Sequence, residues 1–420
     1  MQRGGYFYLV LSATLALSLA GAAGATPAAA QTNLYWGGYT PNLPTIFLEA
    51  PQELSKEQKV AGKLQLVNPK GRARENTAPL AVNVRYHGAT SLGYPKRSYA
   101  ISFDKPTALL QMPAGQHWVL NASFIDRSLM RHKLSYDLFL SLSRPGAPRH
   151  AARSSWVEVY FNGKYQGVYL LMQRVDGEML GLRPFEKNAP NPACLYKAVD
   201  HAANFGQAGH AGYEQREPDP VQRAFWEPLD ELNRFASRAP DKQFFDAQTG
   251  IASRLDLENA MDFYLLVLLT SNSDGITKNF LIARDAVSGE GPPPKFFFVP
   301  WDYDGTFGQN WNATPYPHDA WLSNHLFDRL MSNQEYRRRL AERWGQWRER
   351  EFSVETICSR IDAGVRALGW AADRNAIRWK SAAGIYPNRL SFEEDIARMK
   401  KWIEARVKWL DAAIKKRAGN

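Results

Sequence analysis

Cysteine is scarce in this sequence. Among 420 residues there are two, Cys194 and Cys358, far apart and with neither a CxxC spacing nor a His-rich neighbourhood, which argues against a structural zinc site. A disulfide between them and two buried free thiols are equally compatible with the spacing. Long apolar runs are missing after the first thirty residues, and no later segment is long and apolar enough to span a bilayer. Internal repeats are absent, and low complexity is confined to the N-terminal region. Acidic side chains are the minority charge, 42 against 52 Lys and Arg, for a net charge of +10 and a pI near 9.4. That balance favours anionic partners, phosphates among them.

With 45% hydrophobic residues the chain buries a sizeable core, as one large domain or two lobes. Arg3 precedes the apolar run "YFYLVLSATLALSLAGAAG" and small residues ending at Ala30, the pattern of a secretory signal peptide over residues 1–30. The expectation is an exported protein, periplasmic or secreted, without a stable membrane anchor. Strand patterns dominate the next part: "PLAVNVRYHG", "KRSYAISFD" and a hairpin turning at Asn162-Gly163. One helix, "DRSLMRHKLSYDLFLSL", interrupts them. The predicted organisation is an α+β chain with a β-rich lobe over 34–180, a loop-rich crossing over 181–214 and a helical lobe over 215–420. Within the last, Asp256 caps an apolar helix, and Ser391 with Glu394 forms a capping box before the stripe Phe392, Ile396, Met399, Ile403, Val407, Leu410 and Ile414.

The stretch "NSDGITKNFLIARD" follows the apolar helix and places Asp274 five residues before Asn279. After two strand-like runs comes "WDYDGTFG", with Asp302 and Asp304. Aspartate and asparagine also serve as turn and cap residues. Jointly, two acidic clusters flanking one hairpin bring oxygen donors to the same edge, as a divalent cation requires. Phosphoryl transfer needs such a set: one carboxylate to orient a hydroxyl, and others to hold magnesium against nucleotide phosphates. Sugar hydrolysis, which needs two carboxylates across a glycosidic bond, fits the closely spaced Asp302 and Asp304 less well.

The pieces "GATSLGYPKRSYAISF", "DRSLMRHKLSYDLF", "VEVYFNGKYQGVYLLMQRVD", "LYKAVD", "NSDGITKNFLIARD" and "FFFVPWDYDGTFG" occur in an order that resembles the spore coat protein H (CotH) kinase family, across roughly Val82 to Gly308. The resemblance implies a two-lobed, protein-kinase-like fold and an atypical kinase that uses ATP with Mg2+ or Mn2+ to phosphorylate Ser or Thr of a protein acceptor. It implies that Asp274 is the catalytic aspartate and that Asn279, Asp302 and Asp304 hold metal. Lys96 is the candidate for the nucleotide phosphates, with Gly88 and Ser91 in the loop before it. The same three residues also suit a strand end and an ordinary turn. No nucleic-acid partner is expected. The chain lacks a G-x-G-x-x-G loop and has Asn272-Ser273 where protein kinases carry His-Arg before the catalytic aspartate. A noncatalytic structural or adhesive protein on the same scaffold is the alternative.

Overall fold

Apolar residues alternating with a period of two build the N-terminal half. In the computed structural model, which describes residues 41–69, 75–287, 293–382 and 384–419, this alternation becomes a closed barrel. Its strands are β1 (Thr45–Glu49), β2 (Val60–Val67), β3 (Leu80–His87), β4 (Ser98–Thr107), β5 (Gly115–Asn121), β6 (Ser154–Phe161) and β7 (Lys164–Gln173), in the order β1-β2-β3-β4-β5-β7-β6. Parallel pairing of β1 with β6, from Thr45 opposite Glu158 to Leu48 opposite Phe161, closes the ring. Closure removes the free sheet edges. Ile46, Leu48, Leu64, Leu66, Val82, Val84, Trp118, Leu120, Val157, Val159, Tyr169 and Leu171 fill the interior. The opposite faces of β5 and β7 carry Val119, Val168, Leu170 and Met172, which join the core of the helical region. The β6–β7 turn at Asn162 and Gly163 has positive φ at both residues, as a tight hairpin of this kind needs.

Among the described residues, the helices of at least eight residues are α1 (Arg131–Ser141), between β5 and β6, and, in the C-terminal part, α2 (Glu227–Arg238), α3 (Leu257–Thr270), α4 (His325–Ser332), α5 (Gln334–Arg348), α6 (Val354–Leu368), α7 (Trp370–Arg378) and α8 (Phe392–Gly419). The chain is thus α+β, strand-rich at first and helical later. The stretch over 181–214, expected as a loop-rich crossing, also carries structure of its own. It holds β8 (Cys194–Ala198) and the start of β9 (Tyr213–Glu217), which join β10 (Phe280–Arg284) and β11 (Phe297–Pro300) in a sheet of order β11-β10-β8-β9. The Pro, Asn and Gly residues around "CLYKA" outweigh a five-residue strand signal whose partners lie far along the sequence. The described residues form one compact unit. The expected signal peptide over 1–30 and the start of the β-rich part at 34 lie outside the described residues. Both cysteines are free thiols, Cys194 buried and Cys358 partly so.

Helix α3 is capped as expected: the Asp256 carboxylate accepts the Glu258 and Asn259 amides, each at 3.0 Å. From Asn259 to Thr270 every residue is buried, so this helix is the axis of the core. Helix α8 starts with the reciprocal Ser391–Glu394 capping box, and its expected apolar stripe is buried from Ile396 to Ile414, with Phe392 half-buried at its start. Two polar side chains interrupt that stripe. Arg406 donates to the Leu268 carbonyl near the C-terminus of α3, and to His318 and Ala320. Asp395 binds the Arg131 guanidinium, which is fully buried and also holds the Asp126 carboxylate.

Burial opposes ionisation of Asp395, but Arg131 and then Arg398 overcome it and hold its carboxyl below the usual carboxylate range. A depressed folded-state pKa contributes stability at neutral pH that is lost as pH falls from the ordinary carboxylate range through the depressed value. Arg131→Met leaves the buried Asp126 carboxylate without its cation and Asp395 with Arg398 alone, and is expected to cost about 3–5 kcal/mol in chemical denaturation at pH 7. For Asp395→Asn the deficit relative to wild type is expected to shrink as the pH is lowered below 4, roughly the ordinary carboxylate value.

Candidate functional site

The acidic loop after β11 sits where the barrel, α1 and the second sheet meet, and its backbone is held from several sides. Asp302 has φ +61°, a left-handed conformation that costs a non-glycine residue energy unless its surroundings enforce it. Here its amide donates to the Tyr136 hydroxyl at 3.0 Å, and the next amide, of Tyr303, donates to His132 Nδ1 at 3.0 Å. Both acceptors project from α1. Farther along, the Thr306 carbonyl accepts from Arg131 Nε, the Phe307 amide reaches the Thr270 carbonyl, and Gln309 Nε2 donates to the Asp304 and Ile125 carbonyls.

This scaffold brings Asp302 and Asp304 together. One ligand atom each of His132, Asp302 and Asp304 lies within 4.8 Å of the others. Burial first, then the charges of Asp302 and Asp126, push the Asp304 carboxyl well above its usual range. His132 is buried, and burial lowers its imidazole against the opposing pull of Asp302 and Asp126. Two carboxylates this close, with Asp304 half-buried and the Asp302 side chain 45% exposed, fit a divalent cation, whose charge offsets their mutual repulsion.

Asp274 lies outside that group of three. Its carboxylate is 3.2 Å from Lys278 Nζ and 3.9 Å from His201 Nε2. The turn that carries it is tied to the acidic loop, because Asn272 Nδ2 donates to the Asp302 carbonyl at 3.3 Å while Asn272 Oδ1 accepts the Gly275 amide at 2.9 Å. A Cβ on Gly275 would come within 2.5 Å of Asn272 Nδ2, so the turn admits no side chain there. Asn279 also adopts positive φ, +57°. Its amide donates to the Ala198 carbonyl and its carbonyl accepts the Trp301 amide, which anchors it one residue from Asp302 across the β10–β11 pair.

Lys96 is placed elsewhere. Its Nζ is buried against the barrel, donating to the Val168 carbonyl and to Asn375 Oδ1 on α7, and lies 4.7 Å from the Tyr169 ring centre. Desolvation pushes this ammonium well below its usual range. It joins the barrel to α7 and makes no contact with the acidic loop. Gly88 and Ser91 form a tight turn: Gly88 has φ +119°, and a Cβ on it would come within 2.0 Å of Ser91 Oγ.

A different lysine lies beside the acids. Lys197 on β8 sits 5.4 Å over the Trp301 ring; burial lowers its pKa, and Asp302 opposes that shift. His87, edge-on to the same indole, is pushed down to about 3 by burial and then by the surrounding charges of Lys197, Arg85, Arg174 and Arg216. Lys197 thus interacts with Asp302 as well as with Arg216 and Arg174, and Arg85 joins these cations around His87. Sequence reasoning passed over Lys197 and His132, although both stand inside quoted motifs. The signal was a charged residue in the middle of the buried strand "CLYKA", and a histidine directly after Arg131.

The chain matches the family described as CotH kinase protein over residues 84–410. Inner spore coat protein H of Bacillus subtilis (strain 168) is 26% identical over 301 residues, covering 69% of this chain and 76% of that protein.

Tyr136→Phe removes the acceptor of the Asp302 amide while keeping the ring. Leaving a partly buried donor unpaired is expected to cost about 1–3 kcal/mol in urea unfolding. Stability equal to wild type would show that the hydroxyl does not hold the loop.

Proposed function

Because the chain belongs to the CotH kinase protein family, we propose that it is an exported, kinase-like phosphotransferase that moves the γ-phosphoryl group of ATP to a Ser or Thr hydroxyl of a protein. The observation that carries this reading is the convergence of Asp302 and Asp304 beside Lys197, on a loop tied to the Asp274 turn. On this reading the barrel and the helical part act as the two lobes of a kinase-like fold, with the acidic loop between them. The apolar N-terminal run supports export, and the spore coat assignment of the Bacillus relative agrees with a place outside the cytoplasm.

Each residue then has a role. Asp302 and Asp304, with Asn279 beside them, hold Mg2+ or Mn2+, which when bound neutralises charge on the nucleotide phosphates. Lys197, backed by Arg85, Arg174 and Arg216, attracts the triphosphate; Lys96 has a structural role instead. Gly88 and Ser91 shape the loop that follows β3. Asp274 accepts the proton of the acceptor hydroxyl as its oxygen attacks the γ-phosphorus, the bond to the bridging oxygen breaks and ADP leaves. Lys278, 3.2 Å from Asp274, keeps that carboxylate oriented.

A noncatalytic role is the second reading, favoured by the relative being a spore coat protein. One comparison separates the two. With γ-labelled ATP, Mn2+ and the purified chain, Asp274→Asn is expected to lose label transfer by at least a hundredfold, in line with loss of a general base, while retaining nucleotide binding. Absence of transfer by the wild type, on itself and on basic or acidic protein acceptors, would favour the binding role.

The lysines give a further contrast. Lys197→Ala is expected to weaken ATP binding about tenfold or more, since it removes a charge-assisted phosphate contact. Lys96→Ala is expected to lower thermal stability with little change in nucleotide affinity per folded molecule. The opposite pattern in calorimetric titration would return Lys96 to the nucleotide site.

A further inference from the structure

The group formed by His132, Asp302 and Asp304 looks like a three-ligand metal site, but the hydrogen bonds of the imidazole say otherwise. A neutral imidazole has one N–H and one nitrogen lone pair. The Tyr303 amide donates to Nδ1 at 3.0 Å, and the Tyr136 hydroxyl, which accepts from the Asp302 amide, lies 3.5 Å from the same nitrogen. Nδ1 therefore provides the lone pair, and the proton is on Nε2. That excludes the imidazolium as well, since it has no acceptor nitrogen. Nε2 is the atom facing Asp302 Oδ1, at 3.9 Å. Asn121 Nδ2 lies 3.4 Å from Nε2. Its amide orientation is set by the Ser123 amide donating to Asn121 Oδ1 at 2.8 Å. It therefore meets an N–H and makes a contact without a hydrogen bond.

Resting on the metal-dependent reading above, we propose that His132 is a positioning residue whose Nε2–H is aimed at Asp302, and that the charged ligands of the cation are the Asp302 and Asp304 carboxylates alone. A shift of about 1 Å brings Nε2 and Oδ1 to hydrogen-bond distance. One oxygen of Asp302 is then held by α1, as its amide already is through Tyr136, and the carboxylate turns its remaining lone pairs toward Asp304. The consequence is an all-oxygen donor set from the protein. Such a set suits Mg2+ or Mn2+, whereas zinc and copper prefer sites that include imidazole nitrogen.

Mn2+ is the probe, applied to the full chain with 15N-labelled histidine. NMR of the metal-free protein is expected to show His132 with a bare Nδ1 and a protonated Nε2. Pulsed EPR of the Mn2+-loaded protein is expected to lack the coupling of a directly bound imidazole nitrogen. His132→Ala is expected to weaken Mn2+ binding roughly tenfold or more, the usual effect of losing a group that orients a ligand. His132→Gln, which offers an amide N–H where Nε2–H stood, is expected to recover most of that affinity, which a purely structural role would not require. A bare Nε2, a coordinated imidazole nitrogen, or His132→Gln binding Mn2+ as weakly as His132→Ala would each overturn the assignment of His132 while leaving the phosphotransferase reading intact. Failure of the wild type to bind Mn2+ at all would overturn both.

Discussion

The buried guanidinium of Arg131 is the contact on which the site depends. Its Nε donates to the Thr306 carbonyl in the acidic loop, one terminal nitrogen bridges Asp126, Ser128 and Asp395, and the other returns to Asp395. One side chain thereby fixes the start of α1, the first turn of α8 and the loop that carries Asp302 and Asp304. The ion pairs are fully out of water, where a lost partner leaves an uncompensated charge. Because α1 also supplies His132 and Tyr136, the same contact sets the position of the two acceptors that hold Asp302 and Tyr303.

Charge is arranged to match. Asp302 and Asp304 stand together on the loop after β11, and Lys197 interacts with Asp302 on one side and with Arg216 and Arg174 on the other. Burial first, and then these cations, push His87 down to about 3, and an anion beside Lys197 would relieve the repulsion among the cations. On the proposed reading, a metal-bound triphosphate would set positive charge against the aspartates and negative charge against Lys197. Backbone strain falls at the same point, since Asn279 and Asp302 both adopt positive φ.

Local features were legible in the sequence. The Asn162-Gly163 hairpin, the Asp256 cap, the Ser391–Glu394 box and the α8 stripe are set by residues within a few positions of one another, and the structure has them all. The pairing of Asp302 with Asp304 belongs to the same class. Barrel closure was not legible, because β1 meets β6 more than a hundred residues away and nothing in either strand names its partner. The same holds for β8, whose neighbours on the sheet are distant in the chain. Lys96 illustrates the limit from the other side: a lysine at a strand start is read as exposed, yet here α7 arrives from far along the chain and covers it, with Asn375 accepting its hydrogen bond. His132 and Lys197 acquire meaning only once β11 and its loop are placed beside them.

The most direct measurement of the central claim is a crystal structure with Mn2+ and a non-hydrolysable ATP analogue, with anomalous scattering used to place the metal. A manganese peak between the Asp302 and Asp304 carboxylates, with the analogue's phosphates directed toward Lys197, is the expected result. Manganese bound elsewhere, or phosphates at Lys96 with the aspartates uncoordinated, would contradict it.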